Sequence, residues 1–256
     1  MKIISYNVNG IRSAVNKGFT EFIQKEDPDI VCLQEIKANI EDINEELFTA
    51  LGYYCYWLPA GKKGYSGVAI LSKKPALSVV KGIGHDMFDF EGRILQADFE
   101  QFSVISCYFP SGTTGDIRQA IKYEFLDFFF KHIEQQREKY PRLIVCGDYN
   151  ICHQPIDIHD PVSNKNSSGF LPAERAWMDK WFSAGMLDTF RMLNPDPHHY
   201  TWWSFRTDAR SRNKGWRIDY ISATDNLKPH IVGSGILNSY IHSDHCGSFV
   251  KLTFDD

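Results

Sequence analysis

Polar side chains gather in the apolar runs of this sequence or directly at their ends. In chain order they are Asn7, Glu35, Tyr108, Asp148, Asn150, Asp219, Asp244 and His245. A hard divalent cation such as Mg²⁺ prefers carboxylate and water oxygens, and Glu35 can supply a carboxylate. Such a cation offsets the charge that develops on phosphoryl oxygens. The set therefore contains the groups that hydrolysis of a phosphodiester requires.

These residues divide into complementary roles. A water nucleophile must be deprotonated and aimed, and Asp148 can act as the base with Asn150 beside it in one short turn. A histidine oriented by a second carboxylate can keep its proton and donate it to a phosphoryl oxygen, which suits His245 with Asp219. Asp244 is then a second carboxylate on the metal side or near the leaving group. Taken alone, each position also fits a turn former or a helix cap, so only the combination indicates catalysis.

The intervening elements must bring these residues together. Apolar segments predict strands at residues 2–8, 30–34, 53–58, 67–72, 76–80, 93–99, 103–109, 143–146, 200–205, 216–222, 230–237 and 248–254. Helical spacing predicts helices at 18–25, 41–51, 114–139 and 172–182. The polar stretch 150–169 is longer than most loops in compact domains and indicates a functional segment. Strands on both sides of the central helices favour two sheets packed face to face with helices outside, a layered α/β sandwich.

The composition favours one well-buried core. The 256 residues are 43% hydrophobic, which predicts a single domain over residues 1–256, with two small domains as the alternative. No apolar run approaches the ~18 residues of a membrane helix, so we expect no membrane partner and a cytoplasmic location. The cysteines are scattered without a C-x-x-C pair, which indicates buried, reduced thiols rather than disulfides or a zinc site.

The net charge is informative mainly through its distribution. A formal charge of -4 argues against a protein that coats nucleic acid indiscriminately. Exposed charges act locally, because salt screens them beyond about 8 to 10 Å. One basic stretch contains Arg206, Arg210, Arg212, Lys214 and Arg217. From charge alone, this stretch is either a nucleic-acid contact or a solvated loop.

Seven ordered motifs resemble the exonuclease III family of abasic-site endonucleases, within the endonuclease/exonuclease/phosphatase (DNase I-like) superfamily. The resemblance extends from Lys2 to about Phe254 and implies a four-layered α/β sandwich, two mixed sheets flanked by helices. The motifs are N-V-N-G-I-R at 7–12, L-Q-E-I-K at 33–37, G-Y-S-G-V at 64–68, C-Y-F-P at 107–110, G-D-Y-N at 147–150, W-R-I-D-Y at 216–220 and S-D-H-C at 243–246.

The resemblance also implies roles for the polar residues. Glu35 would hold Mg²⁺, with Mn²⁺ as a possible substitute, and Asp148 would serve the water. Tyr108 would contact the scissile phosphate, although a tyrosine at a strand end is more often a core or interface aromatic. His245 and Asp219 would form the orienting pair. The residues expected close to the metal are Glu35, Asn7, Asp148, Asn150, Asp244 and His245.

Recognition of DNA is expected from two further groups of residues. An apolar slot of Trp202, Trp216 and Ile218 would accept a flipped-out sugar that lacks its base, and the segment around Arg206 would enter distorted DNA. The alternative is that these tryptophans belong to the ordinary core. By resemblance, phosphate contacts that position the duplex without reading its sequence are expected from Arg12, Lys37, Tyr65 and Asn164.

The implied activity is Mg²⁺-dependent cleavage 5′ to abasic sites, with 3′-5′ exonuclease and 3′-phosphodiesterase or phosphatase activity. The expected partner is duplex DNA with abasic or 3′-blocked sites, bound by a monomer. Ser111 stands where relatives often carry Asn or Gln near the phosphate, and Tyr149 replaces the more usual Leu and is interpreted as a packing change. The segment 113–117 is unlike the family pattern and leaves the balance between endonuclease and exonuclease action open. Two alternatives are a superfamily phosphatase or phosphodiesterase that acts on a lipid or inositol phosphate, and a DNA-binding module that has lost activity.

Overall fold

A computed structural model describes residues 1–254, without the side chain of residue 207, so the last two residues of the predicted domain lie outside the described part. Within it, twelve strands form two six-stranded mixed sheets. The first sheet has the order β11 (Ile231–Leu237), β12 (Gly247–Leu252), β1 (Lys2–Asn7), β2 (Ile30–Gln34), β4 (Val68–Ser72) and β3 (Tyr54–Leu58). The second has the order β5 (Ser78–Lys81), β6 (Ile94–Asp98), β7 (Ser103–Tyr108), β8 (Leu143–Asp148), β10 (Asp219–Thr224) and β9 (Met186–Asp188).

Helices cover the outer faces of both sheets. They are α1 (Ile11–Asn16), α2 (Phe19–Glu26), α3 (Glu46–Thr49), α4 (Asp86–Phe90), α5 (Asp116–Lys139) and α6 (Pro172–Ser183). The long helix α5 buries Phe125, Phe129 and Ile133, spaced four residues apart, against the second sheet. No helix in residues 1–254 combines the length and apolarity needed to cross a membrane. None of the six cysteines, all within these residues, forms a disulfide.

Strand direction brings the polar residues to one edge of the sandwich. Strands β1 and β2 run parallel, with Asn7 opposite Gln34, and β7 and β8 run parallel, with Tyr108 opposite Asp148. Strand β10 is antiparallel to β8 and places Asp219 opposite Asp148. The inner faces of the two sheets share one buried apolar cluster. Side chains at the carboxyl ends of β1, β2, β7 and β8 therefore face a common cleft.

Several short elements differ from the sequence predictions. The helix predicted at 41–51 is instead a 3₁₀ turn at Ile40–Asp42 followed by α3, because Asn44 between them favours turn conformations. The strand predicted at 200–205 is irregular, and Trp202 makes only isolated bridges to Trp216 and His245 there. The sequence did not predict α1, α4 or β9, which are too short to display a period.

A buried ion network anchors the loop that follows β8. The carboxylate of Asp157 accepts hydrogen bonds from Arg217 Nε at 2.7 Å and from Arg191 Nη2 at 2.7 Å. Arg217 also donates to Asp188 at 2.7 Å, and its side chain is 1% exposed. Burial opposes ionisation of Asp157, but Arg217 and Arg191 outweigh it and lower the pKa of this carboxyl. Arg217, one of the five cations of the basic stretch, is therefore part of the core.

Asp157→Asn is expected to destabilise the fold by about 3 kcal/mol at pH 7, because it removes the carboxylate that Arg191 and Arg217 share and leaves Arg217 with Asp188 alone. A carboxyl with a lowered pKa stabilises the native state above its unfolded value of about 3.9, and this contribution is lost as pH falls through the native pKa. The difference in unfolding free energy between wild type and variant should therefore shrink below about pH 4. Urea unfolding between pH 3 and 7 measures this. The exposed Asp196→Asn is the control, and a difference independent of pH would contradict the assignment.

Candidate active site

Asn7 links carboxylates from the two sheets. Its side-chain Nδ2 donates to Glu35 Oε1 at 2.8 Å and to Asp148 Oδ2 at 2.9 Å. Asn7 is fully buried, and its Oδ1 accepts the backbone N–H of Asn9 at 3.0 Å, which fixes the orientation of the amide. Glu35 and Asn150 both have positive φ, 51° and 52°, an uncommon conformation for residues other than glycine. The Asn7 amide therefore holds the carboxylates of Glu35 and Asp148 together, and the uncommon backbone conformations at the two strand ends help to orient the chain there.

His245 and Asp219 form the pair that the sequence predicted. Nδ1 of His245 lies 2.9 Å from Asp219 Oδ2, and Nε2 faces Asp148 Oδ2 at 3.8 Å. Burial alone would lower the pKa of His245, but the neighbouring carboxylates, Asp219 first, raise it to about 10. The imidazole is therefore protonated at neutral pH and presents a proton to the cleft through Nε2.

The pKa of Asp148 is also raised, but for a carboxyl this shift favours the neutral form. Burial first, and then the negative charge of Asp219, raises the pKa of Asp148 to about 7, while His245 acts in the other direction. A carboxylate whose pKa lies near neutrality can both accept and release a proton at working pH. Asp148 is 1% exposed, so its charged form requires compensation from neighbouring groups.

The donor set fits a hard divalent cation. Glu35, Asp148 and His245 each offer one ligand atom, and these atoms lie within 4.8 Å of one another. The two carboxylates supply the oxygen ligands that Mg²⁺ and Mn²⁺ prefer, and a cation between them would offset their buried negative charge. A protonated imidazole cannot ligate a metal, so the raised pKa of His245 suits a proton donor, and its place among the metal ligands stays a prediction.

Two other predicted metal residues have different surroundings. Asp244 stands outside this cluster, and its oxygens accept hydrogen bonds from Asn9 Nδ2 at 2.8 Å and Trp202 Nε1 at 3.0 Å. Asn150 donates its side-chain Nδ2 to the carbonyl of Phe109 at 2.9 Å. These contacts tie Asp244 to the first motif and to the aromatic cluster, and its role on the metal side or near the leaving group stays a prediction.

Tyr108 lies at the cleft with its ring against a buried arginine. The guanidinium of Arg93 is 4.9 Å from the ring centroid, and its Nη1 donates to the Tyr108 carbonyl at 2.9 Å. Arg93 is balanced by Glu91, whose Oε2 accepts from Nε at 2.5 Å. Burial, then the charges of Glu35 and Asp148, raise the pKa of the Tyr108 phenol, so it stays protonated. Tyr108 can therefore donate a hydrogen bond to an anionic group in the cleft.

The three residues of the predicted apolar slot pack together beside this cluster. Trp202, Trp216 and Ile218 belong to one apolar group together with Phe170. The indoles of Trp202 and Trp216 meet edge to face, with centroids 6.0 Å apart. Both tryptophans are only partly buried, whereas Ile218 is 6% exposed at the base. The slot is joined to the catalytic segment because Trp202 pairs with His245 through the backbone and with Asp244 through its indole.

The residues predicted to contact DNA fall into two groups. Arg12 and Arg206 are exposed on the surface. Lys37, Tyr65 and Asn164 have partners within the protein. Nζ of Lys37 contacts Glu35 Oε2 at 2.7 Å, the Tyr65 hydroxyl accepts from Arg93 and Arg118, and Asn164 Nδ2 donates to the His159 and Asp160 carbonyls.

The basic stretch is likewise only partly available to a ligand. Arg217 is buried in the Asp157 network, and Arg210 stacks on Trp203 with 4.6 Å between the guanidinium carbon and the ring centroid. Nη2 of Arg210 also donates to two carbonyls of the segment that precedes Ser243. Both arginines therefore make contacts within the protein that stabilise the segments around the site.

Sequence reasoning missed three supporting groups. Arg93 stacks on Tyr108, Asn9 binds Asp244 and Lys37, and a fully buried pair of Lys122 and Glu174 lies behind Asn150. Asn9 is within the first motif and could have been selected from it. Arg93 and Lys122 lie outside the seven motifs, and a charged residue in a predicted strand or helix is ordinarily interpreted as exposed to solvent.

The departures from the family pattern are accommodated in different ways. Tyr149 is buried and stacks on Phe109 with centroids 4.4 Å apart, which confirms its interpretation as a packing residue. Ser111 bonds Thr113 through their side chains at 3.0 Å, and residues 113–117 are exposed. That segment therefore leads into α5 at the surface and takes no part in the buried cluster.

A two-sheet sandwich with paired carboxylates and a buried imidazolium at one edge defines a hydrolase of the metal-dependent phosphodiesterase class. Within that class, the chain belongs to the Endonuclease/Exonuclease/phosphatase family, whose family model matches residues 4–245. The predicted relationship is thereby confirmed.

Comparison with individual proteins extends this likeness over the whole chain. An exodeoxyribonuclease of Bacillus subtilis (strain 168) is 41% identical over 248 residues, which cover 96% of this chain and 97% of that protein. A Danio rerio protein called DNA repair nuclease APEX1 is 39% identical over 249 residues, 96% of this chain and 80% of that protein. An AP endonuclease structure from Archaeoglobus fulgidus has a TM-score of 0.91 at 29% identity and covers 99% of this chain and 100% of that one. The predicted layered sandwich is confirmed.

Proposed function

We propose that this chain is a DNA-repair nuclease that cleaves the phosphodiester 5′ to an abasic site in duplex DNA and also removes 3′-terminal nucleotides and blocking groups. The observation that carries the proposal is the contact of Asn7 with both Glu35 and Asp148, next to the His245–Asp219 pair and the tryptophan slot. The relatives named exodeoxyribonuclease and DNA repair nuclease act in the same general role.

Asp148 acts as the general base. Its pKa of about 7 matches neutral working conditions, and Asn7 holds one of its oxygens in place. The backbone N–H of Asn150 donates to the other oxygen at 2.8 Å, which orients the carboxylate. The proton removed from water is thereby accepted at a fixed position.

His245 and Tyr108 stabilise the phosphate. The imidazolium, kept protonated by Asp219, donates from Nε2 to a phosphoryl oxygen as negative charge grows there. The Tyr108 hydroxyl donates a second hydrogen bond from the opposite sheet. Glu35, with Asp148 next to it, would hold Mg²⁺, or Mn²⁺ in its place, and the cation would supply a Lewis acid that offsets charge on the phosphate and leaving oxygen.

The tryptophan slot selects the lesion. A sugar without a base can rotate out of the duplex and pack against the partly exposed Trp202 and Trp216, whereas an intact nucleotide must first unstack from its neighbours. The exposed Arg12 and Arg206 supply phosphate contacts that place the duplex without reading its sequence. We therefore propose that one chain, acting as a monomer, recognises shape rather than base sequence.

A duplex with one tetrahydrofuran abasic analogue tests the proposal. With Mg²⁺ the protein should cut 5′ to the analogue, and excess chelator should reduce the rate by at least about 10³, because charge on the phosphate is then uncompensated. An undamaged duplex with a recessed 3′ end, run in parallel, measures exonuclease action. Cleavage of an inositol phosphate, with no cut at the analogue, would instead support the alternative superfamily phosphatase.

A further inference from the structure

A fully buried ion pair lies behind the catalytic turn. The ammonium of Lys122, on α5, contacts Glu174 Oε1, on α6, at 2.5 Å, and both side chains are 0% exposed. The same ammonium donates to the backbone carbonyl of Asn150 at 2.7 Å. Burial first lowers the pKa of Lys122, and Glu174 acts against this effect. Removing two charges from water is costly, so a pair kept in this position calls for a role beyond stability.

The other end of the pair holds the wall of the slot. Glu174 Oε2 accepts the backbone N–H of Gly169 at 2.7 Å and that of Leu171 at 2.9 Å. Phe170, between them, lines the slot with Trp216. Gly169 has φ +96°, and a Cβ there would lie 2.9 Å from the Trp216 ring and 3.1 Å from the Asn150 carbonyl oxygen. The loop thus passes directly between the slot and the catalytic turn.

Gln119 completes the network at its half-exposed edge. Its Nε2 donates to Glu174 Oε1 at 3.1 Å, and its Oε1 accepts from Ser168 Oγ at 2.6 Å. Every oxygen of Glu174 therefore has two donors. A polar network satisfied to this degree fixes one arrangement of the groups that it joins.

We propose that the buried Lys122–Glu174 pair is a positioning element that couples the wall of the apolar slot to the catalytic turn at Asn150. This role rests on the proposed function, because the pair would hold the residues that select the lesion in a fixed position relative to the residues that hydrolyse the phosphodiester. Neither side chain touches the reacting groups. Lys122 acts through the Asn150 carbonyl, and Glu174 acts through the Gly169 and Leu171 amides.

Two neutral double variants separate the two arms without leaving a buried charge. Lys122→Met with Glu174→Gln keeps an acceptor for the loop amides but removes the donor to Asn150, so kcat should fall about tenfold with KM nearly unchanged. Lys122→Met with Glu174→Leu removes the loop acceptor as well, so KM for the abasic duplex should in addition rise about tenfold. Gln119→Ala, at the half-exposed edge and expected to fold normally, should raise KM about threefold and leave kcat unchanged.

Each rate is divided by the folded fraction from thermal unfolding. A control pair, Lys2→Met with Glu26→Gln, removes an ion pair at the start of the strand that Asn7 ends, and it should leave kcat and KM unchanged. Wild-type kcat and KM per folded molecule in both double variants and in Gln119→Ala would overturn the proposal and reduce the pair to a structural feature.

Binding supplies a readout that does not depend on cleavage. In chelator, fluorescence anisotropy gives the ratio of Kd for intact and abasic duplexes, which should fall at least about threefold in the Glu174→Leu double variant and stay near the wild-type value in the Glu174→Gln double variant. An unchanged ratio in both would contradict the coupling. Failure of the wild-type protein to cleave while this ratio responds would refute the proposed hydrolysis and leave the positioning role supported.

Discussion

Asp148→Asn is expected to lower kcat for cleavage at an abasic analogue by about 10² to 10⁴ while Kd for the same duplex changes little. Asparagine nearly matches the shape of aspartate, and its one carbonyl oxygen can still accept from the Asn7 amide, but its NH2 group then faces the Asn150 N–H without accepting from it. It cannot take a proton from water. The loss should therefore appear in the chemical step, because the phosphate contacts and the apolar slot are untouched.

Single-turnover rates with saturating protein measure that step directly, and anisotropy in chelator measures Kd. Asp127→Asn, which alters an exposed carboxylate on α5, is the matched control and should retain the wild-type rate. A variant that cleaves within about threefold of wild type would show that another group deprotonates the water, since a base contributes at least ~10². A parallel loss of binding would instead show that Asp148 serves mainly to organise the site.

Asn7, Glu35, Tyr108 and Asp148 could be located from the sequence because each stands at the end of a strongly apolar strand. Runs such as residues 30–34 and 143–146 are buried on both faces and are recognisable without knowledge of their partners. Parallel pairing places Glu35 next to Asn7 at the edge of one sheet and Asp148 next to Tyr108 at the edge of the other. The resemblance to a family supplied what apolar patterns lack, namely which sheets face each other and that Tyr108 belongs to the site.

The supporting network could not be predicted in the same way. Lys122 and Glu174 are separated by 52 positions, and each lies on a helix where a charge is ordinarily solvated. Arg217 looked like part of a basic surface because its neighbours in sequence are cationic, yet its side chain turns inward to Asp157 and Asp188. The sequence shows how many cations a segment contains. Whether one of them is buried depends on carboxylates from segments that are distant in the sequence.

His245→Ala is expected to lower kcat by about 10² to 10³, because the donor that meets developing charge on the phosphate is removed. The buried imidazole hydrogen-bonds Asp219, and its Nε2 lies 3.8 Å from Asp148 Oδ2. Its loss therefore also removes the positive charge that balances the negative charges of these two carboxylates. His245→Gln, which keeps a neutral side chain of similar reach, should recover only part of the rate. Equal rates for His245→Ala and wild type would remove the imidazolium from the mechanism.

The pH profile of Asp219→Asn distinguishes proton donation from simple structural support. Against the effect of burial, Asp219 does most to raise the pKa of His245 to about 10, ahead of Asp148 and Asp244, so without this carboxylate that pKa falls and the donor loses its proton at a lower pH. Asp219 also raises the pKa of Asp148, so its removal lets the base ionise at a lower pH. Both limbs of the kcat profile should therefore move toward acid, with activity that declines between pH 7 and 9 where the wild type remains active. A lower rate with unchanged limbs would mean that Asp219 only holds the ring in place.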